Sequence, residues 1–391
     1  MSAERRADLA YIATFAICAL ALTLSGVLEY RDSQMAHSDF SYIWAGPRTI
    51  LDGKDPYDAA EWSASVARLG TEAFDDPAVY AYPPFVAIAL LPIGALPLSV
   101  AAGLWAWSGL LAAALAVRIL LRSVVPARAL VHGVGAGILL LSQPAVVTLY
   151  SGQWTFWLLA ALALLVVALR THRGAVAALS SVALLAKPQV ALVMLGGLAW
   201  RSWRRAESRE AALMLVLPAA IVLISAATMV GWWISWIMEV PGVRSREPHI
   251  TTLAAALADL GAAAPALTVA VALLAAAITA FSDPRRADSA ALWIALALLV
   301  APYARSYDHL LLLVSVVLTC AAAGRAAGAV ALAGAAILVP GAWVLFLIVG
   351  PIRGSESASV VVPAAVFALA AINAFHPARA DALRPRPPVR H

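Results

Sequence analysis

Residues 174–200 read GAVAALSSVALLAKPQVALVMLGGLAW. A single charge, Lys187, interrupts 27 residues that are otherwise apolar, small or uncharged. A helix needs ~20 apolar residues to cross ~30 Å of hydrocarbon, and a surface helix of a soluble protein would carry a charged face. The stretch is expected to cross a membrane. A lysine at the bilayer centre costs ~3 kcal/mol on insertion scales. Pro188, directly after it, lacks the N–H that a helix interior uses and opens the helix there. Lys187 is therefore a candidate functional residue. A snorkelling side chain and a structural pair with a carboxylate elsewhere in the bundle are the alternatives.

Similar runs extend in both directions from this one. They fall at about 9–28, 83–98, 99–121, 129–148, 154–169, 211–231, 262–281, 289–302, 308–323, 326–349 and 358–375. The whole chain of 391 residues is 63% hydrophobic and 13% charged, with a mean hydropathy of +0.86. Soluble domains are nearer half apolar and a quarter charged. A soluble enzyme, a disordered chain and a secreted disulfide scaffold are poor fits. So is a nucleic-acid binder, because the net charge of +5 comes from arginines scattered at segment ends. Cys18 and Cys320 both lie in apolar runs and build no disulfide framework. The expected architecture is all-α: one integral membrane domain over 1–391, with about 12 spans, a long outer loop over 29–81 and a basic cytoplasmic tail over 376–391. The run 83–98 is short and holds Pro83, Pro84, Pro92 and Pro97, so it reads as a full, broken or re-entrant span. The run after Arg5 and Arg6 is too long for a signal core and is expected to be retained. With twelve spans and the N-terminus inside, each side receives thirteen Lys or Arg. The total decides nothing. The cluster at 201–209 and the basic tail favour the inner side.

The loop 29–81 holds ten of the chain's 22 acids: Glu29, Asp32, Asp39, Asp52, Asp55, Asp58, Glu61, Glu72, Asp75 and Asp76. Against Arg31, Arg48, Lys54 and Arg68 it carries −6, which leaves +11 on the rest of the chain. A plain connection would be much shorter. Residues 40–51 and 58–69 are expected to form amphipathic helices on the membrane surface, with Asp58 capping the second. Asp39, at the entry to the first, suits either an N-cap or a carboxylate that accepts a proton. Gln153 opens a span. Arg305, Asp308 and His309 form the densest late polar cluster. The cluster shares a side with Asp39 only if 83–98 crosses the membrane. The many Trp at segment ends, including Trp154, Trp233 and Trp236, read as an interfacial belt, with sugar stacking as the minority role. The chain has neither a phosphate loop nor a dinucleotide-binding turn, and no His/Cys cluster at zinc-ligand spacing. An activated substrate is therefore expected to arrive as a membrane lipid.

Asp39-Phe40-x-x-Ile43-Trp44-Ala45 and Gly53-x-x-Pro56-Tyr57 resemble the first outer loop of GT-C glycosyltransferases of family 87. Tyr80-x-Tyr82-Pro83-Pro84, Gly152-Gln153, Leu185-Ala186-Lys187-Pro188 and Pro302-x-x-x-x-Tyr307-Asp308-His309 follow in the family's order. The last motif departs from the pattern, which would carry a Trp or a second His. The resemblance implies a GT-C fold whose outward cavity is roofed by the long loop. It implies a polyprenyl-phosphate sugar donor, most simply mannose, and a glycolipid or lipid-linked glycan acceptor. Transfer would invert the sugar without metal or cofactor. Asp39 would be the general base, with Lys187, Arg305 and His309 at the donor phosphate. Trp44, Tyr57, Tyr82, Gln153 and Asp308 would shape the substrate pocket. The Ala- and Arg-rich composition suggests a bacterial plasma membrane. A secondary transporter with Lys187 in a midplane site is the alternative, opposed by the absence of an internal repeat and by the acidic loop. Oligomeric state is left open.

Overall fold

A computed structural model of the chain describes residues 1–24, 35–71, 79–244 and 250–375. The acids Glu29, Asp32, Glu72, Asp75 and Asp76 and the tail 376–391 lie outside the described residues. Among those described, the chain is helical throughout, with no strand. Six helices are long and apolar enough to cross a membrane by themselves. A seventh candidate is the pair Ala129–Leu141 and Gln143–Ser151, bent by 43°. Thr155–Arg170, Gly174–Leu184 and Ala287–Val300 are shorter apolar helices. Among the described residues, helix length alone supports six or seven spans and does not by itself reach the expected count of about twelve.

Two expected spans have a different form. The run 83–98 folds into Pro84–Ala89 and Leu91–Gly94, each with a proline in its first turn. Proline suits that position because its missing N–H would have no partner there. These ten helical residues rise ~15 Å at 1.5 Å each, too little to cross. They pack on the loop helix Asp39–Leu51 instead. A Cβ on Gly94 would sit 2.7 Å from Arg48 N, and Trp44 Nε1 donates to Leu96 O at 2.9 Å.

The opening stretch is the second correction. It forms the helices Gly174–Leu184 and Pro188–Arg204, broken at 185–187. His172, just before the first arm, meets Glu210, just after the second, at 3.1 Å. A Cβ on Gly174 would touch the Leu213 side chain. Both arms therefore end at the same end of the bundle. Residues 174–204 make a hairpin, and Lys187 sits at its tip rather than in the middle of a span. Pro188 ends the first arm's hydrogen-bond ladder and starts the second arm. The returning arm lies close against Ala287–Leu299, where a Cβ on Gly197 would meet the Trp293 ring at 2.1 Å.

The bundle has two chemically distinct ends. At one, Asp8 takes Arg118 and Arg122, and Arg170 donates to Ser123 O. Arg201 donates to Arg286 O, Arg204 to Ala280 O, and Arg286 to Asn373 O. Arg5, Arg6, Arg128, Arg173, Arg205, Arg209, Arg285 and Arg325 lie in or beside the same turns. Because 83–98 does not cross, the turns near 122–128 and 170–173 join this end. The tie of the twelve-span count disappears.

At the other end, Asp39–Leu51 and Ala59–Leu69 cover the bundle. Asp58 caps the second through Ala60 N and Glu61 N. The first is not an exposed surface helix. Phe40 through Pro47 are all buried, because large apolar residues alternate with small ones and both faces pack. A Cβ on Gly46 would fall 2.3 Å from the Tyr80 ring.

Candidate active site at the hairpin tip

Asp39 is the first residue of its helix, and Ser38 holds the cap position. The Asp39 carboxylate does not cap the helix. Its Oδ2 accepts from Gln153 Nε2 at 2.6 Å. Local backbone geometry brings Gln153 there. The helix Gln143–Ser151 ends at Gly152 with φ 69°, a left-handed conformation that favours glycine. A Cβ on Gly152 would also sit 2.5 Å from Phe40 Cβ. Trp105 Nε1 donates to Gly152 O at 3.0 Å and fixes the turn. Gly152 thus lets two helices approach closely enough for the amide to reach the carboxylate.

The cations come from two other segments, the hairpin tip and the 305–308 turn. Lys187 Nζ donates to Asp308 Oδ1 at 2.8 Å and lies 4.4 Å from the centre of the Tyr307 ring. Asp308 is fully buried. Its Oδ2 accepts from Arg305 N at 3.1 Å, and Arg305 Nε donates to Tyr303 OH at 2.9 Å. Gln143 Nε2 donates to Ser306 Oγ at 3.0 Å, tying this short 3-10 turn to the helix that carries Gln153. A buried ion pair is stable only when its remaining polar atoms are also matched, and here the Arg305 amide supplies the second match.

Asp39, Gln153, Lys187 and Arg305 line one cavity of about 470 Å³, within the range of small-molecule sites. Tyr42, Tyr82, Tyr303 and Tyr307 add aromatic and hydroxyl surface. Phe85, Leu192, Val222, Trp233, Trp236 and Val240 make an apolar wall. A carboxylate and two cations thus share one space that also has an apolar lining. The expectation that Asp39 and Arg305 share a site only if 83–98 crosses is overturned. They share it while that run stays on one side.

Other predicted residues lie elsewhere. Trp44 is buried against Leu96. Tyr57 packs at a tilt against Trp232 and donates to Tyr82 O at 2.6 Å. Burial pushes its phenol well above the usual tyrosine range, so it remains a donor. It supports Tyr82 from behind. Asp308 lies behind Lys187, outside the cavity lining. His309 is 1% exposed and also outside the lining, with Nε2 3.2 Å from Thr251 Oγ1. Sequence reasoning did not assign Tyr42, Phe85, Tyr303, Tyr307, Trp233 or Trp236 to the pocket. Tyr303 and Tyr307 flank Arg305 in the late polar cluster, a signal that was present. Trp233 and Trp236 look like belt residues in sequence. Trp236 Nε1 instead donates to Ala81 O at 3.0 Å, beneath the loop.

The family model for glycosyltransferase family 87 matches residues 80–302. The match holds Tyr82, Gln153, Lys187, Trp233 and Trp236, and it ends before Arg305 and begins after Asp39. No curated protein and no solved structure matches the chain. The matched region is more than half of the 391 residues and contains the hairpin tip and the apolar wall of the cavity. The chain belongs to glycosyltransferase family 87 and is a multi-pass membrane glycosyltransferase.

Proposed function

We propose that the chain transfers a sugar, most simply mannose, from a polyprenyl-phosphate donor to a hydroxyl of a glycolipid or lipid-linked glycan, with inversion at the anomeric carbon. The observation that carries this reading is the one cavity that Asp39, held by Gln153, lines together with Lys187, Arg305 and apolar side chains. A lipid donor needs both kinds of surface: cations for its phosphate and apolar side chains for the first part of its tail.

In this reading the acceptor hydroxyl lies against Asp39. As its oxygen bonds to the anomeric carbon, its proton passes to the carboxylate. The bond from that carbon to the donor phosphate oxygen breaks, and its electron pair leaves with the phosphate. Charge grows on the departing oxygen, and the ammonium of Lys187 and the guanidinium of Arg305 stabilise it. Inversion requires the hydroxyl to attack opposite the leaving phosphate, so in this reading the sugar lies between Asp39 and the two cations. Tyr42, Tyr82 and the tyrosines beside Arg305 supply surface for the sugar. Gln153 keeps one carboxylate oxygen of Asp39 engaged and the carboxylate oriented.

Orientation follows from charge. Fourteen arginines of the described residues lie at the end away from the cavity. At the cavity end are Arg48, Lys54, Arg68, Lys187, Arg305 and Arg353. Positive charge near span ends marks the cytoplasmic side, so the cavity faces outward across a bacterial plasma membrane. Nucleotides are absent from that side, and a lipid carries the sugar to it.

The test uses the purified chain in lipid nanodiscs with labelled polyprenyl-phosphate mannose, a matching arabinose donor and a bacterial glycolipid extract. Labelled glycolipid from the wild type is expected. Asp39→Asn is expected to lower the rate by ~10²–10⁴-fold, the span of general-base contributions. Equal product from Asp39→Asn would remove Asp39 as the base. Orientation is checked in intact cells with a membrane-impermeant maleimide. The wild-type cysteines Cys18 and Cys320 are buried. Lys54→Cys is expected to label and Arg209→Cys to label only after the cells are opened. The reverse pattern would turn the cavity inward.

A further inference from the structure

Both cations of the cavity depend on one carboxylate that does not line it. Asp308 is 0% exposed. Its two oxygens are divided between Lys187 Nζ at 2.8 Å and Arg305 N at 3.1 Å. The Asp308 N–H in turn donates to Arg305 O at 2.9 Å, which closes a reciprocal clamp around the 305–308 turn. Lys187 has a long flexible stem, and it enters the cavity at a break between two helices, where no helix backbone fixes its direction. Its direction is set by Asp308 on one side and the Tyr307 ring on the other. Arg305 leaves the same turn, with its side chain braced by Tyr303.

We propose that Asp308 is a positioning residue for sugar transfer, acting through Lys187 and the Arg305 main chain to hold both cations at one edge of the cavity without touching substrate. This rests on the reading that those cations meet the leaving phosphate. As a pair, Lys187 and Asp308 are neutral, so Asp308 adds no net attraction for an anionic donor. It supplies direction. A donor phosphodiester carries one negative charge and the departing phosphate monoester up to two. An aimed ammonium therefore contributes more as the bond breaks than when the donor binds, and losing its aim lowers kcat rather than raising the donor KM.

The experiment measures donor-saturation kinetics with labelled polyprenyl-phosphate mannose for the wild type, Asp308→Asn, Lys187→Met and the double variant. Asparagine keeps the volume but puts an NH2 donor in place of one acceptor oxygen, so one of the two donors that Asp308 holds loses its partner. Asp308→Asn is expected to lower kcat by ~10–100-fold, the size of one lost charge-assisted hydrogen bond, with donor KM little changed. Adding Asp308→Asn to Lys187→Met is expected to cost less than Asp308→Asn costs alone, because the Lys187 share of its role is already gone and only the Arg305 share remains. Losses that multiply in the double variant, or a raised donor KM with unchanged kcat, would overturn the inference. Where a single variant does not fold, Asp308→Glu decides, because it keeps the buried charge and shifts its oxygens by one methylene: a lowered kcat at unchanged donor KM supports the inference, and wild-type kcat overturns it. No transfer by the wild type from any polyprenyl-phosphate sugar would instead sink the reading beneath it.

Discussion

The cavity end and the arginine end of the bundle each hold an acid bonded to a base, in opposite surroundings. At the cavity end, the side chains of Lys187 and Asp308 are 5% and 0% exposed. At the arginine end, those of Arg122 and Asp8 are 51% and 19% exposed. Both are ion pairs by geometry. Water screens the second, and its partners can separate cheaply. The first is locked, because separating it strands a charge where nothing solvates it. The same chemical pair is thus an orientation signal at one end and a rigid strut at the other.

The largest effect expected from this contrast is in stability. Lys187→Met leaves Asp308 buried and unpaired and is expected to cost ~3–5 kcal/mol. Arg122→Gln is expected to cost no more than ~1 kcal/mol. Thermal unfolding of both variants in the same detergent measures the difference. Equal losses would erase the distinction between the ends. A smaller effect, read in catalysis, concerns the third polar contact of the cavity. Gln153→Leu removes the 2.6 Å donor to Asp39 and retains similar bulk. A hydrogen bond to a charged group contributes ~1.5–3 kcal/mol, or roughly 10–100-fold. That loss is expected in kcat, with Asp39→Asn losing more. A Gln153→Leu enzyme at full kcat would mean that the base orients itself.

The sequence carried the polar side of the site better than its apolar side. Asp39, Gln153, Lys187 and Arg305 stood out because a polar group in an apolar chain needs a reason, and all four line the cavity. Trp233 and Trp236 did not stand out, since an inward tryptophan and a belt tryptophan look alike in a sequence. The partner of Lys187 was unreadable for a different reason. Asp308 is 121 positions away, and only the folding of the hairpin brings the two together. The hairpin itself was masked by hydropathy. Both arms are apolar, and a proline between them marks a kink in one span as readily as a turn between two helices. Loop helix Asp39–Leu51 was placed correctly along the chain but too far out, because an alternation of large and small residues permits burial on both faces. The run 83–98 had the widest consequence. Reading it as a crossing exchanged the ends of the turns near 122–128 and 170–173, and with them five arginines, Arg118, Arg122, Arg128, Arg170 and Arg173. That exchange alone produced the even charge count.

The smallest effect tests whether the cavity end has a soft outer rim around its rigid interior. Asp52, at the end of the loop helix, pairs with Arg68 of the second loop helix and lies 3.4 Å from Arg48. Hydrogen bonding from Arg68, followed by the charge of Arg48, holds its carboxyl below the usual carboxylate range. A carboxylate with a lowered folded-state pKa stabilises the fold fully above its unfolded value, ~3.9. That contribution is lost as pH falls through the lowered value. Arg68 is half exposed, with a relative side-chain exposure of 51%, so the pair contributes only a few tenths of a kcal/mol. Asp52→Asn is therefore expected to speed hydrogen exchange across 59–69 about twofold at pH 7. The same ratio is expected at pH 5, because the carboxylate is still ionised there. It should close toward one only below pH ~4. A ratio already closed at pH 5 would mean that the Asp52 carboxyl is held above, not below, the usual carboxylate range. A tenfold ratio at pH 7 would mean that the rim is held by more than a screened surface pair.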